Sequence, residues 1–115
     1  MLKIIMCSAF ENCLNLCKVR FNDSLSKIGA AAFKNCVHLY NVSIVGENLT
    51  LIESQAFKNC SRLYSVVIKP IFCKFEYIDI FEDCDNISVC DVNDFSIFPK
   101  KTILNLLKDP RNFRN

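Results

Sequence analysis

Residues 28–44 read Ile28-Gly29-Ala30-Ala31-Ala32-Phe33-Lys34-Asn35-Cys36-Val37-His38-Leu39-Tyr40-Asn41-Val42-Ser43-Ile44, and most of the chain repeats them. Stepping outward from Phe33, Phe10, Phe33, Phe57 and Phe81 are separated by 23, 24 and 24 residues. One position earlier stand Ala9, Ala32, Ala56 and Ile80. Two positions later come Asn12, Asn35, Asn59 and Asp83, and then Cys13, Cys36, Cys60 and Cys84. Leu16, Leu39, Leu63 and Ile87 follow, then Val19, Val42, Val66 and Cys90, then Phe21, Ile44, Ile68 and Val92. Upstream, Leu2, Leu25 and Leu49 form one column and Ile5, Ile28 and Ile52 another. In the fourth repeat those two columns fall on Cys73 and Glu76.

A unit this short cannot bury its own apolar face, so successive units must stack to make one continuous core. The spacing Leu39-x-x-Val42-x-Ile44 ends in period-two alternation, the mark of a short strand. Matching strands are expected at about residues 18–22, 41–45, 65–69 and 89–93, stacked as a parallel sheet at roughly 4.8 Å. Ser54-Gln55-Ala56-Phe57-Lys58-Asn59-Cys60 on the opposite face reads as a single helical turn. Phe57 should point inward there, and Ala56 is small enough for the next coil to approach. The fold class expected is an α/β repeat: a solenoid of about four coils, parallel sheet on one face and short helical turns on the other. Residues 1–93 are read as the solenoid and 94–115 as a C-terminal helical cap or tail. Pro99 stands near a helix start, Ile103, Leu104 and Leu107 supply an apolar stripe, and Asp109-Pro110 stops it. No matching cap is read before Leu2, so the first coil should expose apolar surface and an open strand edge.

These residues resemble the BspA-like leucine-rich repeat, with its unit I-G-x-x-A-F-x-x-C-x-x-L-x-x-V-x-I. Leu51 to Cys60 repeats it, and the resemblance runs from residue 2 to about 92. It implies a leucine-rich-repeat solenoid. It also implies surface or secreted proteins that adhere to host proteins and cells.

Composition narrows the rest. The chain has 115 residues, 51% hydrophobic and 23% charged, with a net charge of +2, which suits one globular domain. So small a charge gives no reason to expect nucleic acid. No run approaches the ~18 apolar residues of a membrane span, and Met1 to Ala9 does not read as a secretory leader. The eight Cys are read as free thiols where they fall in apolar columns, with Cys36–Cys60 as the first pair to examine for a bridge. Zinc is not expected, because no Cys-x-x-Cys occurs and His38 is the sole imidazole. His38 shares a polar column with Asn15, Arg62 and Asn86, so it reads as solvated. Neither a catalytic constellation nor a cofactor motif is found. Five glycosylation sequons occur, at Asn22, Asn41, Asn48, Asn59 and Asn86; about one is expected by chance.

The candidate binding surface is the outward side of the sheet. Lys18, Asn41, Ser65 and Val89 should form one exposed row, and Arg20, Ser43, Val67 and Asp91 the next. Tyr40 and Tyr64 are expected to stack beside them in adjacent coils, offering large contact area at low entropic cost. The site is therefore read as Lys18, Arg20, Tyr40, Asn41, Ser43, Tyr64, Ser65 and Val67. The partner is read as a protein, with no nucleic acid, no membrane insertion and end-to-end self-association as a further contact. Three readings fit: a surface adhesin module, an intracellular scaffold, or a truncated fragment of a longer repeat protein.

Overall fold

A computed structural model describes residues 3–76, 79–109 and 111. The chain winds into four coils carrying two parallel sheets. One sheet has the order β2 (Lys18–Phe21), β4 (Asn41–Ile44), β6 (Ser65–Ile68) and β8 (Val89–Val92). These are the four strands expected from the alternation, each ending one residue early. In β4, β6 and β8 half-buried and buried residues alternate, as a sheet with one core face requires. The register joins the repeat columns: Val19 pairs with Val42, Val42 with Val66, and Val66 with Cys90.

The second sheet was not foreseen. It consists of two-residue strands, β1 (Ile4–Ile5), β3 (Lys27–Ile28), β5 (Leu51–Ile52) and β7 (Lys74–Phe75), in that order. In the fourth coil Phe75, not Glu76, pairs with Ile52. Phe75 is half-buried against the core and Glu76 is exposed. Six positions separate Phe75 from Phe81, against five between Ile52 and Phe57, so the extra residue of this repeat lies between them. Leu2 lies outside the described residues.

The expected helical turns are a different structure. Ser54 to Asn59 forms hydrogen-bonded turns, with Gln55 at φ 62° and Asn59 at φ 58°. Left-handed backbone recurs at Asn12, Asn35, Asn59 and Asp83, which explains that column: Asn and Asp tolerate this region better than other side chains. Backbone bonds stitch these turns from coil to coil. Phe10 N–H donates to the Ala32 carbonyl at 2.7 Å, and Phe33 N–H to that of Ala56 at 2.7 Å. Side-chain bonds run back the other way. Asn35 Nδ2 donates to Asn12 Oδ1 and Asn59 Nδ2 to Asn35 Oδ1, both at 2.9 Å. The α-helix among the described residues is α1 (Lys100–Leu106), in the tail.

The core lies between the sheets and the turns. Phe10, Phe33, Phe57 and Phe81 stack with their rings nearly parallel, at centroid separations of 5.3, 5.2 and 5.3 Å. Phe33, Phe57 and Phe81 are buried; Phe10, at the start of the stack, is 40% exposed. At the other end Phe98 lies 5.1 Å from Phe81, tilted by 47°. Ile97, Phe98, Thr102 and Leu106 are buried there, and Thr102 Oγ1 donates to the Cys84 carbonyl at 3.4 Å. The last coil is thus covered. In the first coil Ile4, Met6, Phe10 and Leu14 are exposed.

Candidate functional site

The outward rows of the β2–β8 sheet are as the alternation requires. Lys18 pairs with Asn41, Asn41 with Ser65, and Ser65 with Val89. Arg20, Ser43, Val67 and Asp91 form the parallel row. Lys18, Arg20, Asn41, Ser43, Ser65 and Val67 together line one shallow groove of ≈ 460 Å³. Six of the eight residues named from sequence are therefore brought together. Hydroxyls and an amide occupy its middle, with Val19 and Val67 beside them, so it offers both hydrogen bonds and apolar contact.

The tyrosines stand beside this groove. Tyr40 is 46% exposed and Tyr64 52%, and Tyr64 N–H donates to the Tyr40 carbonyl at 3.0 Å. Their rings do not stack as expected; among the described residues the stacked rings are those of Phe10, Phe33, Phe57 and Phe81 inside. Tyr40 instead borders a neighbouring depression with His38 and Arg62. His38 is exposed, and its Nδ1 lies 2.8 Å from the Leu14 carbonyl, which that ring nitrogen can reach as a donor.

Charge varies along the sheet. Lys69 pairs with Asp91 at the β8 end. Lys18 and Arg20, at the β2 end, are exposed and form no ion pair among the described residues. A second depression, lined by Lys3, Asn22, Asp23, Ser24, Ser26 and Asn48, escaped sequence reasoning. Its only signal was a run of turn-forming residues, Asn22-Asp23-Ser24, which any loop would show.

The cysteine column serves packing. Cys36, Cys60 and Cys84 are buried, and their thiols donate to the carbonyls of Phe10, Phe33 and Phe57 at 3.1, 3.3 and 3.1 Å. Each thiol is aimed at the preceding coil's backbone, and Cys36 and Cys60 are both free. The neighbouring Cys84 thiol, and then burial, hold Cys60 firmly protonated. Burial raises Cys36 as well. It pushes Cys90 up to about 11, with the Asp91 carboxylate adding to it, and Cys73 up to about 12. Thiols held neutral in this way are poor nucleophiles. Among the described residues no group of three or more His, Cys, Asp or Glu is placed to hold a metal ion.

Of the sequons, Asn59 is half-buried with its amide given to Asn35. Asn48 and Asn86 donate to the Asp23 and Ser61 carbonyls. Asn22 is exposed.

Stacked coils of 23–24 residues with Phe, Asn, Cys and Leu columns match a known repeat over nearly the whole chain. The BspA-type leucine-rich-repeat region model fits residues 1–105, in six copies. The chain belongs to the BspA-type leucine-rich-repeat family. Among solved structures, this repeat chain is similar to a leucine-rich-repeat protein of T. pallidum, with a TM-score of 0.61 and 22% identity. The match covers 79% of this chain and 52% of that one, so the BspA-type chain spans about half the length of that protein. The likeness is one of fold. Comparison with curated proteins returns no match.

Proposed function

We propose that the chain is a non-enzymatic protein-binding module whose binding surface is the outward face of the β2–β8 sheet. The observation that carries this reading is the single groove formed by Lys18, Arg20, Asn41, Ser43, Ser65 and Val67, with exposed Tyr40 and Tyr64 beside it. A rigid, repeated scaffold fixes these side chains before any partner arrives, which lowers the ordering cost of association. Membership of a repeat family supports a partner-binding role over a catalytic one. In this reading residues 1–93 are the solenoid and 94–115 its cap, and adhesion to proteins outside the cell is the setting the family suggests. No helix among the described residues is long and apolar enough to cross a membrane.

The test begins with a partner identified by cross-linking to the native chain. Tyr40→Ala/Tyr64→Ala and Asn41→Arg/Ser65→Arg variants are then compared with the parent by calorimetry. Loss of binding in both, with unfolding midpoints unchanged, supports the sheet face. Undiminished binding in both overturns it.

A second reading rests on the thiols. Cys36, Cys60 and Cys84 each donate a hydrogen bond that only the reduced form can make. That favours a reducing compartment and an intracellular scaffold. Labelling intact cells with a membrane-impermeant biotin reagent separates the two: capture of the chain supports the extracellular setting, and exclusion supports the scaffold.

A further inference from the structure

The connection that follows β6 departs from its counterparts in the other coils. Counting back two positions from Lys27, Leu51 and Lys74, which pair across the second sheet, gives Leu25, Leu49 and Phe72. Leu25 and Leu49 are buried in the core, whereas Phe72 is 81% exposed. Cys73 packs against the core in this coil, and Ile71 beside Phe72 is 69% exposed. Buried Pro70 fixes the backbone where the chain enters the turn at Ile71 and Phe72. Glu47 and Asn48 of the previous coil flank this turn on one side. On the other stands Asn93, whose Nδ2 donates to the Lys69 carbonyl at 3.1 Å. Glu47, Asn48, Lys69, Ile71 and Phe72 line a recess of ≈ 250 Å³. Small-molecule sites occupy roughly 300–1,000 Å³, so this one suits a single side chain. Its polar walls are mostly committed. Lys69 pairs with Asp91, and the Asn48 amide donates to the Asp23 carbonyl. Glu47 is exposed and has no ion-pair partner among the described residues. Lys74 is exposed close by in sequence but does not line the recess.

We infer that this recess receives an arginine side chain of a partner protein. The Lys69–Asp91 pair is neutral as a unit, so the Glu47 carboxylate leaves one uncompensated negative charge on the wall, and a cation complements it. Ile71 and Phe72 supply apolar surface for the stem of a long side chain that keeps its charged end at the rim. A guanidinium suits both parts. It is planar and stacks on an aromatic face, and its fork of donors meets a carboxylate with two parallel bonds. An ammonium makes a point contact instead. An anion is opposed by Glu47. A purely apolar side chain would cover Glu47 without pairing it, and a carboxylate buried unpaired is costly. The inference rests on the reading of the chain as a protein-binding module, but not on the sheet groove or the tyrosines.

The experiment titrates the isotope-labelled full chain, into the millimolar range, with an end-blocked peptide of Gly and Ser carrying one central Arg. Companion peptides carry Lys, Glu or uncharged citrulline in its place. Amide chemical shifts give both location and affinity. The Arg peptide is expected to bind and to shift amides of residues 47, 48 and 69–72. Glu47→Gln and Phe72→Ala, both at exposed positions, should each weaken it about threefold, and citrulline in place of Arg should do the same. The Lys peptide should bind less tightly than the Arg peptide. Glu47→Lys should reverse the choice in favour of the Glu peptide. Failure of the Arg peptide to bind overturns the proposal, as do equal binding of the Glu peptide and shifts centred elsewhere. Undiminished binding in Glu47→Gln or in Phe72→Ala overturns it too. Two other occupants are tested alongside. A dimer of the parent that Phe72→Ala abolishes makes a second copy the occupant. Sedimentation with phosphatidylserine-containing vesicles that the same change abolishes makes it a membrane surface. Either result overturns the arginine assignment. Tyr40→Ala/Tyr64→Ala keeps the two claims apart. If it abolishes partner binding but leaves the Arg peptide bound, the sheet face and the recess both stand. If the tyrosine and sheet variants leave partner binding intact while Glu47→Lys abolishes it, the sheet reading fails and the recess stands.

Discussion

Asn59 donates its side-chain amide to Oδ1 of Asn35 at 2.9 Å across the gap between coils, and both residues hold a left-handed backbone, at φ 58° and 62°. The column therefore has two tasks, a conformational one and a bonding one. Substitution separates them. Asn59→Ala loses both and is expected to cost about 1–3 kcal/mol. Asn59→Gly recovers the backbone conformation and loses only the bond, so it should cost less. Urea unfolding checks the order; equal losses would show that conformation is not what selects Asn here.

The first coil is held close by two glycines. A Cβ on Gly46 would come within 2.3 Å of the Asn22 carbonyl carbon, and one on Gly29 within 2.6 Å of the Cys7 nitrogen. Both obstacles are backbone, which cannot rotate aside. Gly46→Ala is expected to destabilise by about 1–3 kcal/mol. The damage should be local, with amide exchange faster in residues 4–21 than in the third coil. Uniform acceleration would mean that the coils open together.

The two ends of the phenylalanine stack should differ in their response to truncation. Phe98 is buried against Phe81, whereas Phe10 is 40% exposed. Phe98→Ala is expected to cost about 3–5 kcal/mol and Phe10→Ala about 1–2 kcal/mol. Thermal unfolding of the two variants makes the comparison. An equal or reversed order would show that the tail does not close the core.

Stability should fall in alkali. Burial lifts the thiol of Cys90 from the ordinary 9.0 up to about 11 and that of Cys73 up to about 12. Between 9.0 and those values the unfolded chain has lost protons that the folded chain keeps. The stabilisation is complete below that window and is lost as pH rises through it, by about 1.4 kcal/mol per pH unit for each thiol. Cys90→Val, which installs the residue found at Val19, Val42 and Val66, should flatten the slope between pH values of about 9 and 11. An unchanged slope in the variant would remove Cys90 from this account.

Much of the architecture was legible because repetition supplies its own alignment. A column such as Val19, Val42, Val66 and Cys90 specifies the register of three strand pairs at once. The outward rows follow from that register, and the groove with them. The second sheet left no trace, because two residues cannot display an alternating period. The turns were mistaken for helix because Ser8, Ala31 and Gln55 hold left-handed backbone without belonging to a type that announces it. The slip at Phe75 was hidden by counting back from Phe81 at fixed spacing, across a segment that holds one more residue. The tyrosines are exposed as expected, but their rings do not stack and they border the groove without lining it, because ring orientation leaves no mark in a repeat column.

The turn-side backbone bonds all point one way, from Ser8, Phe10 and Asn12 into the next coil, and from Phe33 and Asn35 into the one after. Peptide dipoles arranged in this manner add, as they do along a helix. Each added coil therefore lengthens one aligned array of peptide dipoles on the turn side, with carbonyls such as those of Ala30, Ala32 and Lys34 directed toward the preceding coil and N–H groups toward the following one. The side that carries the Asn column thus has an electrical polarity along the stack that grows with the number of coils, and it is felt most at low salt.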